Sequence, residues 1–230
     1  MAYESEYPPF YVTVDIVVLA IRDGRLHALM IRRGGEPYAG AWALPGGFVG
    51  IDEDLRDAAE RELEEETGVR IGTETLTQVH TYGTPDRDPR HRVVSVAWLA
   101  AFPETVEVTA GTDAAHAEWR PVDELLVDDP GDRLAFDHAG IVRDAVEAAQ
   151  ERLMNAEPPL LAAGFTGGRE FSLSQLRSVY EAVLGHELDP GNFQRKVKAT
   201  QRLVEPTGRR EPAPGGRGRP AEMFRLKPRA

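Results

Sequence analysis

At 230 residues the chain is long enough for one sizeable domain plus a smaller one. It has no cysteine, which excludes a disulfide framework, and no apolar run approaches the ~18 residues needed to span a bilayer. The net charge of −11 conceals a split: residues 1–170 hold 15 Lys and Arg against 32 Asp and Glu (−17), and residues 171–230 hold 12 against 6 (+6). All three lysines, Lys196, Lys198 and Lys227, lie in that last stretch. Such asymmetry predicts a different partner for each part. The absence of cysteine fits a cytoplasmic location, and the opening MAYESEYPPF has neither the basic nor the apolar segment of a signal peptide.

Residues 10–21, FYVTVDIVVLAI, are rich in β-branched side chains and predict a buried strand. Asp23-Gly24 is a hairpin signal, with Leu26–Ile31 as the partner strand. Gly34–Gly40 reads as a loop. Asp52–Thr67 predicts a helix, with Asp52 as N-cap and Gly68 as its stop. Leu76–Tyr82 and Val93–Phe102 predict strands separated by the polar loop GTPDRDPRHR. Ala117–Arg120 is a further short strand ended by Pro121, and Asp137 is placed to cap a helix running to about Met154. Residues 155–170 carry the Pro and Gly pairs of a linker.

The helix over 52–67 carries the chemistry. On a wheel of 3.6 residues per turn, Leu55, Ala58, Ala59 and Leu63 make one apolar stripe. Glu62 and Glu66 fall inside it and Glu65 at its edge. A solvated charged face would put Leu55 and Ala58 in water as well. Three carboxylates turned toward the protein repel each other and resist desolvation, and a divalent cation resolves both problems. Oxygen-only ligands suit Mg²⁺ or Mn²⁺.

This segment resembles the Nudix box, G-x5-E-x7-R-E-U-x-E-E-x-G-U. Gly47, Glu53, Arg61, Glu62, Leu63, Glu65, Glu66, Gly68 and Val69 fill all nine specified positions. The resemblance implies an α/β/α sandwich with a mixed sheet that handles nucleoside diphosphates linked to another group. It implies Glu62, Glu65 and Glu66 as metal ligands, Arg61 as the residue that orients a glutamate, and Arg61, Glu65 and Glu66 as the catalytic group. Gly46 and Gly47, after Trp42-Ala43-Leu44-Pro45, let backbone approach a phosphate. Arg32, Arg33 and Arg92 are candidates to clamp a pyrophosphate, with surface ion pairs as the alternative. Trp42 is a candidate to stack on adenine, or else an anchor of the core or of its loop. His138 reads as a structural histidine, with a general base or a ligand contact as the alternative.

In the basic part, Ser172 or Ser174 caps a helix to about Leu184, with Leu173, Leu176, Val179, Tyr180 and Val183 as its apolar face. Asp189 caps a second helix to about Thr200, with Pro190 at its first position. Phe193 and Val197 anchor that helix. Asn192, Gln194, Arg195, Lys196 and Lys198 are left to its other faces. Leu203-Val204 and Met223–Leu226 flank a loop carrying Arg217 and Arg219. This is the plan of a winged helix-turn-helix, whose second helix enters the major groove while the wing reaches the minor groove. Asn192, Gln194, Arg195, Lys196, Lys198, Arg217 and Arg219 are the candidate DNA contacts. A small dimerisation domain with a solvated basic tail is the alternative.

The combination resembles the Nudix-related transcriptional regulators of NAD metabolism. Val12–Asp15, Pro89–Val96, Phe136-Asp137-His138, Asn192–Lys196 and Gly218-Arg219-Pro220 carry that resemblance. It implies a Nudix domain over 1–156 and a linker with winged helix over 157–230. It also implies a homodimer that binds operator DNA and senses ADP-ribose or a related nucleotide, with no membrane partner. Because the box is intact, an active Mg²⁺-dependent ADP-ribose pyrophosphohydrolase is the alternative.

Overall fold

The computed structural model describes residues 6–108, 114–127, 134–155, 164–200, 203–212 and 220–227. Its first sheet is built on β1 (Tyr11–Arg22) and β2 (Arg25–Arg33). Asp23 and Gly24 join them with φ of 51° and 73°, so the hairpin signal is realised as a two-residue turn with both central residues left-handed. Seven strands form this mixed sheet, in the order β3-β2-β1-β6-β5. The remaining strands of that path are β3 (Trp42–Ala43), β5 (Thr77–Tyr82) and β6 (Val93–Phe102). Off the path, β4 (Gly46–Phe48) pairs with β1, and β7 (Ala114–Pro121) with β2. The core of β1 is a continuous run: Val14 and Ile16 to Ala20 are fully buried. Asp15 is the charged interruption of that run, and it too is buried.

Helix α1 spans Leu55–Thr67. It starts later than its acidic approach predicts. Asp54, not Asp52, is the N-cap, its carboxylate accepting from the Arg56 N–H. The chain first turns through Gly50–Glu53, and Glu53 is committed to Arg61 rather than to the helix end. Gly68 ends the helix in the left-handed conformation, as expected, with its N–H on the Glu64 carbonyl. Ala58, Ala59 and Leu63 are fully buried, so the apolar stripe faces the core. Burying one such leucine is worth about 1.5–3 kcal/mol.

A short helix α2 (Val122–Leu125) follows β7, and α3 spans His138–Met154. Asp137 precedes α3, but its carboxylate receives Arg87 instead of capping the helix. Ile141, Val142, Ala145 and Ala149 give α3 a fully buried stripe.

A second sheet, ordered β8-β10-β9, consists of β8 (Phe171–Ser172), β9 (Val204–Glu211) and β10 (Ala221–Leu226). Helix α4 (Leu173–Leu184) leaves β8 directly through a capping box of Ser172 and Gln175, and Gly185 ends it at φ 74°. Helix α5 (Pro190–Ala199) starts with the Asp189 carboxylate on the Asn192 N–H. Tyr180 and Phe193 lock α4 to α5 edge-to-face, with ring centres 5.2 Å apart. β9 is longer than expected because a bulge around Thr207 and Gly208 keeps it paired with β10 as far as Glu211.

By contacts the chain forms two compact units. One comprises residues 1–18, 28–100 and 106–145, the other 19–27, 101–105 and 146–230. No helix among the described residues is long and apolar enough to cross a membrane.

Candidate functional site

A pocket of about 620 Å³ in the first unit opens where β1, β4 and α1 meet. Its floor is glycine for a steric reason. A Cβ on Gly46 would lie 2.1 Å from the Val14 carbonyl oxygen, and one on Gly47 would lie 2.4 Å from Glu62 Oε1. The two glycines pair with Asp15 and Val14 across β1 and β4. The Gly46 N–H donates to Glu66 Oε2 at 2.9 Å.

On α1, Glu62 and Glu66 line the pocket, and Glu65 does not. The side chain of Glu62 is 13% exposed and that of Glu65 56%, which matches one inside the stripe and one at its edge. Arg61 holds this acidic face together. Its Nε and Nη2 donate to the two oxygens of Glu53 at 2.7 and 2.9 Å. Its Nη1 donates to Glu62 at 2.8 Å and to Glu65 at 3.1 Å, and Nη2 also reaches the Phe48 carbonyl. The hydrogen bonds from Arg61 hold the Glu53 carboxyl down at about 2. Burial pushes Glu62 the other way, above the usual carboxylate range, even though Arg61 opposes it.

Among the described residues no three acidic or histidine side chains converge closely enough to hold a metal ion as they stand. The donor set nevertheless suits a hard cation. It is oxygen only, Glu62 is desolvated, and the Thr13 hydroxyl on the pocket wall is buried with no hydrogen-bond partner.

The opposite wall is cationic. Arg33 lines the pocket, and its Nε donates to the Pro37 carbonyl at 2.8 Å. Among the described residues no carboxylate lies within ion-pair distance of Arg33. Burial and the neighbouring Arg90 hold its pKa down. Its guanidinium sits 4.9 Å from the centre of the Phe136 ring, and Tyr38 meets that ring edge-on. Phe136 and Tyr38 both adopt positive φ, 53° and 64°, where non-glycine residues store strain. Arg90 lines the pocket with Asp88 in a bidentate pair at 2.8 and 3.1 Å.

Behind this wall lies a buried network. Arg87 Nε and Nη2 donate to the two Asp137 oxygens at 3.0 and 2.7 Å, and Nη2 also reaches Asp15 at 3.3 Å. Ser95 donates to Asp15 Oδ2. His138 Nδ1 accepts from the Leu44 N–H at 2.9 Å, so its proton sits on Nε2, 3.4 Å from Asp15 Oδ1. Burial lowers the His138 pKa, against the pull of Asp15 and Asp137.

Of the expected ligand contacts, Arg33, Gly46 and Gly47 line the pocket, and Arg32, Arg92 and Trp42 do not. Arg32 pairs with Trp42 across β2 and β3, and Trp42 is buried between the guanidinium groups of Arg32 and Arg120, each 5.0 Å from its centre. Trp42 is therefore an anchor of its strand. Arg92 lies over Phe10 and donates to the Val93 carbonyl. Asp15, Arg87, Asp88, Arg90 and Phe136 also line the pocket, although none is among the ligand contacts expected from the sequence. The alternating charges of Asp86-Arg87-Asp88 and the following Arg90 were the available signal.

In the second unit, Phe193 and Val197 are buried, whereas Asn192, Gln194, Arg195, Lys196 and Lys198 are exposed on α5. Arg195 donates to the Asn192 side-chain oxygen. Arg177, Arg209 and Arg225 are matched to Glu181, Glu170 and Glu205. Arg195, Lys196, Lys198 and Arg210 in β9 have no acidic partner among the described residues. Arg217 and Arg219 lie outside the described residues.

The acidic pocket domain and the two-helix, three-stranded basic unit define a Nudix fold followed by a winged helix-turn-helix. Residues 11–144 match the NUDIX domain, and residues 168–226 match the NrtR DNA-binding winged helix domain. The chain belongs to the Nudix family, in the group that carries the NrtR winged helix. It is similar to the ADPR-responsive transcriptional repressor NtrR of Acinetobacter baylyi, 32% identical over 231 aligned positions that cover 97% of this chain and 84% of that protein. NrtR of Shewanella oneidensis, crystallised with a 27mer DNA, superposes with a TM-score of 0.73 at 30% identity, covering 94% of this chain and 93% of that one. The NUDIX domain of the same Shewanella protein, crystallised with ADP ribose, gives 0.57 at 29% identity, covering 64% and 93%.

Proposed function

We propose that this chain is a cytoplasmic transcriptional regulator of NAD metabolism that binds operator DNA and senses ADP-ribose, releasing the operator when the ligand is bound. One observation carries this reading: an anion-ready pocket and an acid-free cationic helix occur on one chain, alike over nearly its whole length to an ADPR-responsive repressor. Arg33 and Arg90 supply guanidinium donors for a pyrophosphate, and the glycine floor leaves room for it. On α5, Asn192, Gln194 and Arg195 have the donors and acceptors to read base edges, and Lys196 and Lys198 suit phosphates. Arg217 and Arg219 belong to the same reading as wing contacts. The exposed apolar patch of Phe10, Tyr11, Val12, Phe48 and Ile51 suits a homodimer, which paired half-sites require.

The complete box favours a second reading, hydrolysis of the same ligand. Glu62, Glu65 and Glu66 would hold Mg²⁺ or Mn²⁺, which when bound neutralises charge on the pyrophosphate and acidifies a water. Arg61 orients this acidic face, and a glutamate of the box or a loop carboxylate would take the proton.

The test is a DNA shift titrated with ADP-ribose in Ca²⁺, run beside an assay for AMP in Mg²⁺. Release of DNA by intact ADP-ribose is expected. AMP formation with no ADP-ribose effect on DNA would replace the regulator by the enzyme.

A further inference from the structure

Helix α3 touches both chemistries. The division between the two compact units falls within it, between Ala145 and Val146. At its head, His138 lines the ligand pocket and Asp137 is gripped by Arg87. At its tail, Gln150 Nε2 donates to the Val183 carbonyl in the last turn of α4 at 3.0 Å. Leu153 and Met154 line a cavity of about 300 Å³ with Phe193, Lys196 and Val197 of the DNA-type helix α5.

Arg87 is the residue on which a ligand can act. Its side chain is 5% exposed, yet it lines the pocket. Two of its nitrogens serve Asp137 and Asp15, and Nη1 makes no hydrogen bond among the described residues. A pyrophosphate offers guanidinium the same forked acceptor geometry as a carboxylate. An anion in the pocket therefore competes with Asp137 for Arg87. Asp137 is joined directly to the first residue of α3, so weakening its pair with Arg87 changes what holds the head of the helix. Helix α3 continues that head through the division without a break.

We propose that α3 carries ligand occupancy to the winged helix, with the Arg87–Asp137 pair as its input and the Gln150–Val183 bond as its output. The inference rests on the proposed regulator reading. Asp137 and Gln150 are positioning residues, because neither lines the ligand pocket or the cavity under α5.

The experiment compares wild type with Asp137→Asn and Gln150→Leu in the full chain. The DNA probe is a duplex enriched by in vitro selection on the wild-type protein, and the ligand is ADP-ribose in Ca²⁺. Three quantities are read: ADP-ribose affinity alone, DNA affinity alone, and the ratio of DNA affinities with and without ADP-ribose. The wild-type ratio is expected within about 5- to 150-fold. Gln150→Leu should leave both separate affinities within about twofold, a range in which a 0.4 kcal/mol change is contained, and bring the ratio below about 2. Asp137→Asn should lower the ratio likewise, and the double variant should lower it no further, because a relay fails at any single break. A ratio within twofold of wild type in either variant overturns the role of α3. Lack of ADP-ribose binding, lack of DNA binding, or a wild-type ratio of one overturns the regulator reading itself and leaves α3 no signal to carry.

Discussion

Arg61 grips Glu53 with two parallel hydrogen bonds, Nε to Oε1 at 2.7 Å and Nη2 to Oε2 at 2.9 Å. The same guanidinium reaches Glu62 and Glu65 through Nη1. One side chain therefore sets the geometry of three carboxylates along the acidic face. Lysine cannot reproduce this fork, because it presents a point charge without fixed donor directions. Removing a group that orients metal ligands typically weakens metal binding by about 10–100-fold. We expect Arg61→Lys to fall in that range in a Mn²⁺ titration with ADP-ribose present. A change under twofold would mean that Arg61 does not organise a metal site.

The two pocket glycines should fail in different ways. At Gly46 a new Cβ meets backbone, the Val14 carbonyl at 2.1 Å, which cannot move without disturbing the pairing of β1 with β4. At Gly47 it meets the end of the Glu62 side chain, which can swing away. Gly46→Ala should cost about 1–3 kcal/mol or more in denaturant unfolding, as overpacking does. Gly47→Ala should unfold within about 1 kcal/mol of wild type yet bind metal and ADP-ribose at least tenfold more weakly, an affinity loss of about 1.4 kcal/mol. Equal stability losses in the two variants would show that Glu62 is not free to yield.

His138 makes native stability depend on pH in a defined direction. Its Nδ1 must stay unprotonated to accept from Leu44, and burial holds its pKa below the ordinary value of 6.5, with Asp15 and Asp137 opposing and Arg87 and Arg33 assisting. In the unfolded chain the histidine takes up a proton as pH falls through that value, and in the native protein it does not. The stabilisation is therefore complete above pH 6.5 and is lost as pH falls from there toward the lowered native pKa. The slope approaches about 1.4 kcal/mol per pH unit where only the unfolded chain is protonated. Unfolding midpoints of wild type and His138→Gln at pH 7.5 and 5.5 measure it. The wild type should lose more stability between the two pH values. Parallel losses would mean that His138 is not held neutral.

What was legible in the sequence divides along physical lines. The α1 stripe and its glycine stop were legible because a period of 3.6 and a left-handed cap leave marks in sequence. The start of α1 was not, because Asp52 and Asp54 are equally good caps and only the commitment of Glu53 to Arg61 decides between them. Arg32 and Arg33 are chemically equivalent candidates. Adjacent strand residues face opposite ways, and the register of Arg32 against Trp42 sends Arg32 away and leaves Arg33 for the pocket. Arg87 and Arg90 sit in a loop with no period, and its alternating charges were the one local mark that set it apart from a solvated loop.

The paired and unpaired cations of the basic unit give a prediction about DNA. A guanidinium already matched to a carboxylate gains little from a phosphate, because it must give up one partner for the other. Arg225 is matched to Glu205 at 2.7 Å, whereas Lys196, Lys198 and Arg210 have no acidic partner among the described residues. If ~4 phosphates are engaged per protomer, a dimer should show a slope of log affinity against log salt of about −7. Lys196→Ala and Arg210→Ala remove one contact from each of two protomers and should each flatten that slope by about 2. Arg225→Ala should leave it within about 0.5 of the wild-type value, since no counterion release depends on it. The measurement is fluorescence anisotropy with one duplex over about 50–300 mM salt, a range that spans the steep part of the counterion response. A slope that Arg225→Ala flattens as much as Lys196→Ala would mean that ion pairing within the unit does not select the DNA face.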